Sequence, residues 1–266
     1  MSRTCFLQKA APLLVFFLLT AASAAVVKDA TDPDMAWQNY LDNDTQIEPS
    51  YRFPHANCFR VAALSYDLPH TLLLAVARGE SDFEATARSR ANAHGVMQIL
   101  WPTTAKHLGI KRLSELYDPC TNIDAGARYL KEMLSHYDGN LHLALAAYNY
   151  GPERIPTNGD VIPPGAEWYS TYILRHLNYV LGNSPGNRPA GEHLYSQLGR
   201  STLLSFGEPY RAEAFVTKLE QRAPELRLDW FRKGVGKFAV VLIYEDREDF
   251  DRSAGLLQQS GFRLGN

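Results

Sequence analysis

Glu80 closes the apolar run Leu72-Leu73-Leu74-Ala75-Val76-Ala77 of a 266-residue chain. Pro69 and Thr71 predict a helix start upstream, and Gly79 predicts its finish. On that helix Leu73, Val76, Ala77 and Glu80 follow i, i+3, i+4, i+7 spacing and share a face that is otherwise apolar. A carboxylate therefore stands where the pattern asks for a core residue. It also stands at a helix C-terminus, where the macrodipole disfavours negative charge. Burial and dipole both raise its pKa. A carboxyl group kept protonated near neutral pH is a general acid. The alternative is a carboxylate solvated just past the helix end.

Neighbouring groups offer weaker chemistry. Asp82 and Glu84 lie within a turn of Glu80, and a second carboxylate at the same site would favour hydrolysis. Their polar stretch predicts that both are solvated. His94, His107 and His136 lack metal-ligand spacing. Ser81 has no histidine motif nearby to make it a hydrolase nucleophile.

The elements that must position Glu80 are helical. Residues 51–183 carry a run of helical patterns, and no strand alternation competes with them. Asn57–Ser65 suits a short helix, and 85–95 reads as a loop. Pro102-Thr103-Thr104 starts another helix. Ile123, Ala127, Leu130, Leu134 and Tyr137 form the cleanest periodic face, with Thr121 and Asp124 as a capping-box-like start. Asn140 caps the next helix, which carries Leu141, Leu145 and Tyr148 and stops at Gly151-Pro152. Tyr169, Ile173, Leu177 and Val180 mark a last amphipathic helix. Residues 184–200, with Pro185-Gly186, Pro189 and Gly191, read as a linker. Residues 201–266 then follow the order β-α-β-β-α-β. Thr202–Phe206 and Phe238–Tyr244 are strands, and a last short one begins at Gly261. That order is the ferredoxin-like split arrangement of a small α+β domain.

The N-terminus belongs to neither part. Arg3 and Lys9 precede an apolar stretch containing Leu13–Leu19, and Ala22-Ser23-Ala24 has the small residues of a cleavage site. Residues 1–24 read as a secretory signal peptide, with a retained anchor as the alternative. Residues 25–50 read as a polar spacer. Composition is globular, 45% hydrophobic and 21% charged, with a formal charge of −2. No basic run or basic–aromatic stripe points to nucleic acid. After Cys5 leaves with the signal, Cys58 and Cys120 remain. An even pair in an exported chain predicts a disulfide, the alternative being two buried thiols. Closing that loop of about 60 residues is worth about 3–4 kcal/mol in the chain-entropy model.

Taken together, Glu80-Ser81, Gly95-Val96-Met97-Gln98 and Ala147-Tyr148-Asn149 make residues 55–180 resemble the soluble lytic transglycosylases. These are lysozyme-like enzymes that cut bacterial peptidoglycan. The Glu-Ser pair and the Gly-x-Met-Gln motif keep the family's separation, and Asn122-Ile123 with Gly126 matches its Asn-Ile-x-x-Gly helix start. Val96 replaces the usual Leu, and Tyr150 replaces the usual small residue. Cys58 and Cys120 resemble the cysteine pair of the subgroup attached to secretion, conjugation and pilus machinery. Residues 201–266 look like a SPOR-type domain, a small fold that binds peptide-free glycan.

The resemblance implies a mainly α, lysozyme-like transglycosylase domain followed by a SPOR-type α+β domain, working in the periplasm. The implied reaction cleaves the MurNAc-β-1,4-GlcNAc bond without water and leaves 1,6-anhydroMurNAc ends. No cofactor or metal is implied. Glu80 acts as acid and then base. Ser89 holds the substrate's acetamido group, the alternative being a loop hydroxyl facing solvent. Gln98 offers its amide to the sugars, and Met97 either gives the cleft an apolar wall or belongs to the core. Tyr148 orients Glu80, and Asn149 fixes the turn or contacts sugar. Either Tyr169 or Tyr172 matches the tyrosine of the family's last helix. Trp101, Tyr150, Trp168 and Tyr169 are candidates for stacking on sugar rings. The implied partners are peptidoglycan strands and an envelope-spanning machine. The competing functions are a hydrolytic muramidase and a catalytically weak peptidoglycan-binding scaffold.

Overall fold

The computed structural model describes residues 33–43, 48–157, 162–183, 195–234 and 236–262. The predicted signal peptide, and residues 263–264 of the last predicted strand, lie outside them. The described residues all fall in one compact unit spanning Asp32–Asn266. In chain order it runs through α1 (Pro33–Asn43), α2 (Ala56–Tyr66), α3 (His70–Ser81), β1 (Ala93–His94), β2 (Ile99–Leu100) and α4 (Thr103–His107). It continues through α5 (Pro119–His136), α6 (Leu141–Tyr150), α7 (Pro164–Val180), β3 (Gly199–Phe206), α8 (Pro209–Arg222), β4 (Leu228–Gly234), β5 (Lys237–Tyr244) and α9 (Arg247–Gln259).

Helix α3 lies at the centre. Leu72 to Ala77 are fully buried, and so is Arg78. A helix apolar on every side belongs inside a bundle. Helix α7 packs along it at Gly79, where a Cβ would stand 2.7 Å from Ile173 Cδ1. Gly79 therefore permits a close helix–helix approach and does not stop the helix. The chain stays helical to Ser81, and Asp82, at φ 55°, closes it by donating its N–H to the Arg78 carbonyl. Glu80 is thus fixed in the final turn.

Other boundaries move for similar local reasons. Helix α5 starts at Pro119, and its cap is Asp118, whose side chain accepts from the Thr121 N–H at 2.8 Å. Thr121 and Asp124 do not cap it. Asn140 does cap α6, accepting from the Leu143 N–H at 2.9 Å. The Cys58–Cys120 disulfide joins α2 to the start of α5. The predicted spacer 25–50 contains α1, which is part of the core. Trp37 is 1% exposed and donates its indole N–H to Ser170 Oγ at 2.7 Å. Among the described residues no helix is long and apolar enough to cross a membrane.

The C-terminal part is a small α+β arrangement. Its antiparallel sheet has the order β3-β5-β4, with β5 buried between its neighbours. Strand β4 meets the helical part edge-on. The Arg232 N–H donates to Tyr172 Oη at 3.1 Å, and Arg175 donates to the Trp230 carbonyl. Two side chains of α7 thereby satisfy an edge that would otherwise expose unpaired backbone groups. Trp230 packs near Trp168, with ring centroids 6.3 Å apart. The end of the predicted linker is also structured. Tyr195 is 1% exposed and packs against Phe53, Phe83 and Tyr179.

Candidate active site

The Glu80 side chain is 5% exposed, which places it inside the protein and not past a frayed end. Tyr169 donates its hydroxyl to Glu80 Oε1 at 2.5 Å, and Arg232 Nη2 stands 3.6 Å from Oε2. Burial pushes the carboxyl pKa up, while Arg232 and then the Tyr169 hydrogen bond pull it down. Burial prevails, and the pKa lies above the ordinary glutamate value. The Tyr169 and Tyr148 phenols are pushed far up, first by burial and then by the Glu80 charge. Both remain protonated donors.

The turn that faces Glu80 is built by Asn122. Its side-chain oxygen accepts from the Met97 N–H at 2.7 Å, and its amide nitrogen donates to the carbonyls of His94 and Leu116, each at 2.9 Å. Gly95 has φ 78°, and a Cβ there would meet Asn122 Nδ2 at 2.3 Å. Ser81 Oγ donates to the Val96 carbonyl at 2.7 Å and ties the end of α3 to this turn. The result is a cavity of about 260 Å³ lined by Glu80, Ser89, Gln98, Tyr148, Asn149 and Arg232, among others. Glu80 is the one carboxylate among its lining residues.

Most predicted site residues therefore meet in one place, though not always in the predicted pose. Ser89 Oγ accepts from the Ala93 N–H at 3.0 Å, which leaves its own O–H to donate. Gln98 donates its amide N–H groups to Gly95 O at 2.9 Å and Ala87 O at 3.3 Å, so its carboxamide oxygen is the group left to offer. Asn149 accepts from Arg232 Nη2 at 3.0 Å and Nη1 at 3.2 Å once its amide is oriented oxygen-first.

The structure decides two open alternatives, at Met97 and at Tyr169 or Tyr172, and corrects two readings, at Tyr148 and Asp82. Met97 is fully buried against Gly126, where a Cβ would stand 2.5 Å from Met97 Cβ, so it is core and not a cleft wall. Tyr148 donates to the Met97 carbonyl at 2.9 Å, so it braces the turn and does not hold Glu80. Tyr169 holds Glu80, while Tyr172 donates to the Gly79 carbonyl at 3.0 Å. Asp82 is not solvated. Its side chain is 11% exposed, paired with Arg200 at 2.7 Å and accepting from Tyr195. Glu84, as predicted, is exposed, and hydrogen bonds from Thr86 hold its carboxyl below the usual range.

Beneath the site lies a buried polar network. Arg78 donates to Asp229, to Tyr195 Oη at 3.0 Å and to His176 Nδ1 at 2.7 Å. An arginine cannot accept, so His176 Nδ1 carries no proton. Burial, then Arg175 and Arg78, hold the His176 pKa far down and keep the ring neutral. Burial pushes the Asp229 carboxyl up, but Arg175 and Arg78 outweigh it and hold it well below the carboxylate range.

Comparison with known sequences matches residues 57–160 to the family model of the transglycosylase SLT domain. This segment is similar to that domain. A putative soluble lytic murein transglycosylase of Haemophilus influenzae is 37% identical over 114 residues, 40% of this chain and 19% of that protein. The soluble lytic murein transglycosylase of Escherichia coli is 35% identical over 115 residues, 40% of this chain and 18% of that protein. The transglycosylase of Enterobacteria phage PRD1 is 34% identical over 123 residues, 46% of this chain and 43% of that protein. Of solved structures, the 70 kDa soluble lytic transglycosylase of Escherichia coli gives a TM-score of 0.44 at 27% identity, over 48% of this chain and 25% of that one. The chain thus spans about a fifth of the length of the two cellular relatives.

Residues 57–160 supply Glu80, Ser89, Gln98, Tyr148 and Asn149, but two groups that touch or approach Glu80 lie beyond that matched segment. Tyr169 lies on α7 and Arg232 on β4. Sequence reasoning named Tyr169 as one of two choices and missed Arg232 altogether, since nothing in a Trp-Phe-Arg-Lys strand marks a contact with a distant helix. Asn122 was visible only as part of a motif.

Proposed function

We propose that this chain is a peptidoglycan lytic transglycosylase that cleaves the bond between N-acetylmuramic acid and N-acetylglucosamine. The observation that carries the reading is Glu80: a buried carboxyl with a raised pKa, alone among carboxylates lining its cavity. Most glycosidases place two carboxylates across the scissile bond, with substrate-assisted enzymes as exceptions. Asp82, the nearest carboxylate along the sequence, is taken up by Arg200 and Tyr195.

A one-carboxylate cycle fits this arrangement. Protonated Glu80 gives its proton to the glycosidic oxygen, and the bond to the muramic anomeric carbon breaks. The substrate's own acetamido group stabilises the cationic centre, with the Ser89 hydroxyl as a donor to that group. Glu80, now ionised, accepts the proton of the C6 hydroxyl as that oxygen closes onto the anomeric carbon. The product is a 1,6-anhydro sugar, and no water is consumed. Gln98 presents its carboxamide oxygen to the sugars, and Asn149 its amide N–H groups.

The wider setting is part of the same proposal. Residues 1–24 direct export, and the enzyme works in the periplasm. The β-α-β-β-α order of the C-terminal part and its β3-β5-β4 sheet support a SPOR-type, glycan-binding identity. The cysteine pair supports service to a secretion, conjugation or pilus machine. Glu80→Gln tests the core of the reading. It should abolish release of muropeptides from purified sacculi while leaving the melting temperature at or above the wild-type value. Release at the wild-type rate would remove Glu80 from the chemistry.

A further inference from the structure

Arg232 belongs to the C-terminal sheet, yet it lines the Glu80 cavity. Its guanidinium stands 3.6 Å from Glu80 Oε2 and donates to the Asn149 carboxamide. Its backbone N–H is fixed by Tyr172 Oη, the same hydroxyl that donates to the Gly79 carbonyl next to Glu80. Backbone and side chain are therefore both held by residues that border the catalytic carboxyl. The pair is also sheltered, with the Arg232 side chain 27% exposed and that of Glu80 5%.

A movable lid would not be anchored as β4 is. Immediately before Arg232, Asp229 is locked between the guanidinium groups of Arg78 and Arg175, and Arg175 also holds the Trp230 carbonyl. Phe231 packs on His176, with ring centroids 5.5 Å apart. Releasing this strand would strand Arg78, a fully buried charge. Arg232 is thus a standing part of the site.

We propose that Arg232 is a positioning residue for the Glu80 carboxylate, which makes the active site a composite of the helical part and the C-terminal sheet. The proposal rests on the acid–base role of Glu80. When protonated Glu80 gives its proton to the leaving oxygen, a carboxylate appears in a buried place. Arg232 and Tyr169 meet the two oxygens of that carboxylate, one each. The cation stabilises the charge that develops in the first step. It also fixes the oxygen that takes the C6 hydroxyl proton in the second. Arg232 itself exchanges no proton. Preorganised charges of this kind act where charge develops in the transition state. The titratable groups facing Glu80 are Tyr169 and Tyr172 from α7, Tyr148 from α6 and Arg232 from β4. Arg232 is the one cation among them.

The test compares wild type, Arg232→Gln and Arg232→Lys in the full chain, with two readouts. The first is the pH dependence of muropeptide release from sacculi. The second is the titration of the Glu80 carboxyl by carbon NMR, assigned by its absence in Glu80→Gln. Loss of a cation at this distance should raise the Glu80 titration and the alkaline limb of the rate profile by about one pH unit. It should also lower the maximal rate about tenfold or more. Arg232→Lys keeps the charge and should restore most of both. A titration unmoved by Arg232→Gln would overturn the proposal, as would a rate loss equal at every pH and matched by Arg232→Lys. The NMR readout needs no substrate. If wild type failed to cleave sacculi, the functional reading would fall while the Arg232–Glu80 coupling would still be decided.

Discussion

Asp229→Ala perturbs the joint on which the composite site depends. The carboxylate lies between Arg78, fully buried, and Arg175, whose side chain is 27% exposed. Its removal leaves the Arg78 charge inside the protein without its counterion. Breaking a buried pair from one side costs about 3–5 kcal/mol. Arg78 keeps the Tyr195 and His176 acceptors and sits 3.5 Å over the Tyr179 ring, so the low end applies. Arg175 can rehydrate and adds little. A loss of about 3 kcal/mol lowers the melting temperature by roughly 6–12 °C in a chain of this size. The sign with pH follows from the depressed Asp229 pKa. A carboxyl held below its unfolded value of about 3.9 contributes fully above that value and loses its contribution as pH falls through the folded one. The gap between wild type and variant should therefore be constant from neutrality to about pH 5 and close in acid. Urea and thermal unfolding followed by tryptophan fluorescence and circular dichroism measure it. Trp168 and Trp230 report on the joint itself. A loss below about 1 kcal/mol, the value of an exposed pair, would refute the buried-network reasoning. Recovery of stability in Arg78→Met/Asp229→Leu would support it.

Two further outcomes follow from single contacts. Tyr169→Phe removes the donor to Glu80 Oε1, a hydrogen bond to a charged group worth about 1.5–3 kcal/mol. Muropeptide release should fall about 10- to 100-fold, with the alkaline limb of the pH–rate profile moved upward, and an unchanged profile would contradict the geometry. Asn122→Ala orphans the Met97 N–H and the His94 and Leu116 carbonyls together. It should cost about 3 kcal/mol or more by urea denaturation and reduce activity through the displaced Gln98 turn.

The helix that carries Glu80 was legible because its apolar run is long and its neighbours punctuate it clearly. Gly79 was misread because one letter serves two purposes. A stop signal and a close helix approach look alike until Ile173 is seen against it. The motifs put Tyr148 in the cleft and left Met97 open, yet the backbone turn that presents Gln98 needs both of them inside. Helix α1 escaped notice because Trp37 and Tyr40 are its only buried side chains amid polar residues. Tyr169 and Tyr172 lie on one face of α7, and spacing alone cannot tell which reaches the carboxyl and which the carbonyl before it. Arg232 left no trace at all, because its position is fixed by how an edge strand docks onto α7. That docking also changes what a truncation would mean. Cutting away residues 184–266 removes Asp229 and Tyr195 from Arg78, so it disturbs the helical part and does not simply detach a glycan-binding module.

A Glu80 that serves as both acid and base for an intramolecular attack leaves its mark on the mass of the product. Mass analysis of the muropeptides released from purified sacculi tests this role most directly. The expected products are one water lighter than hydrolysis products, carry 1,6-anhydro ends and disappear in Glu80→Gln. Reducing-end products at full mass would contradict it and would require a second group to activate water.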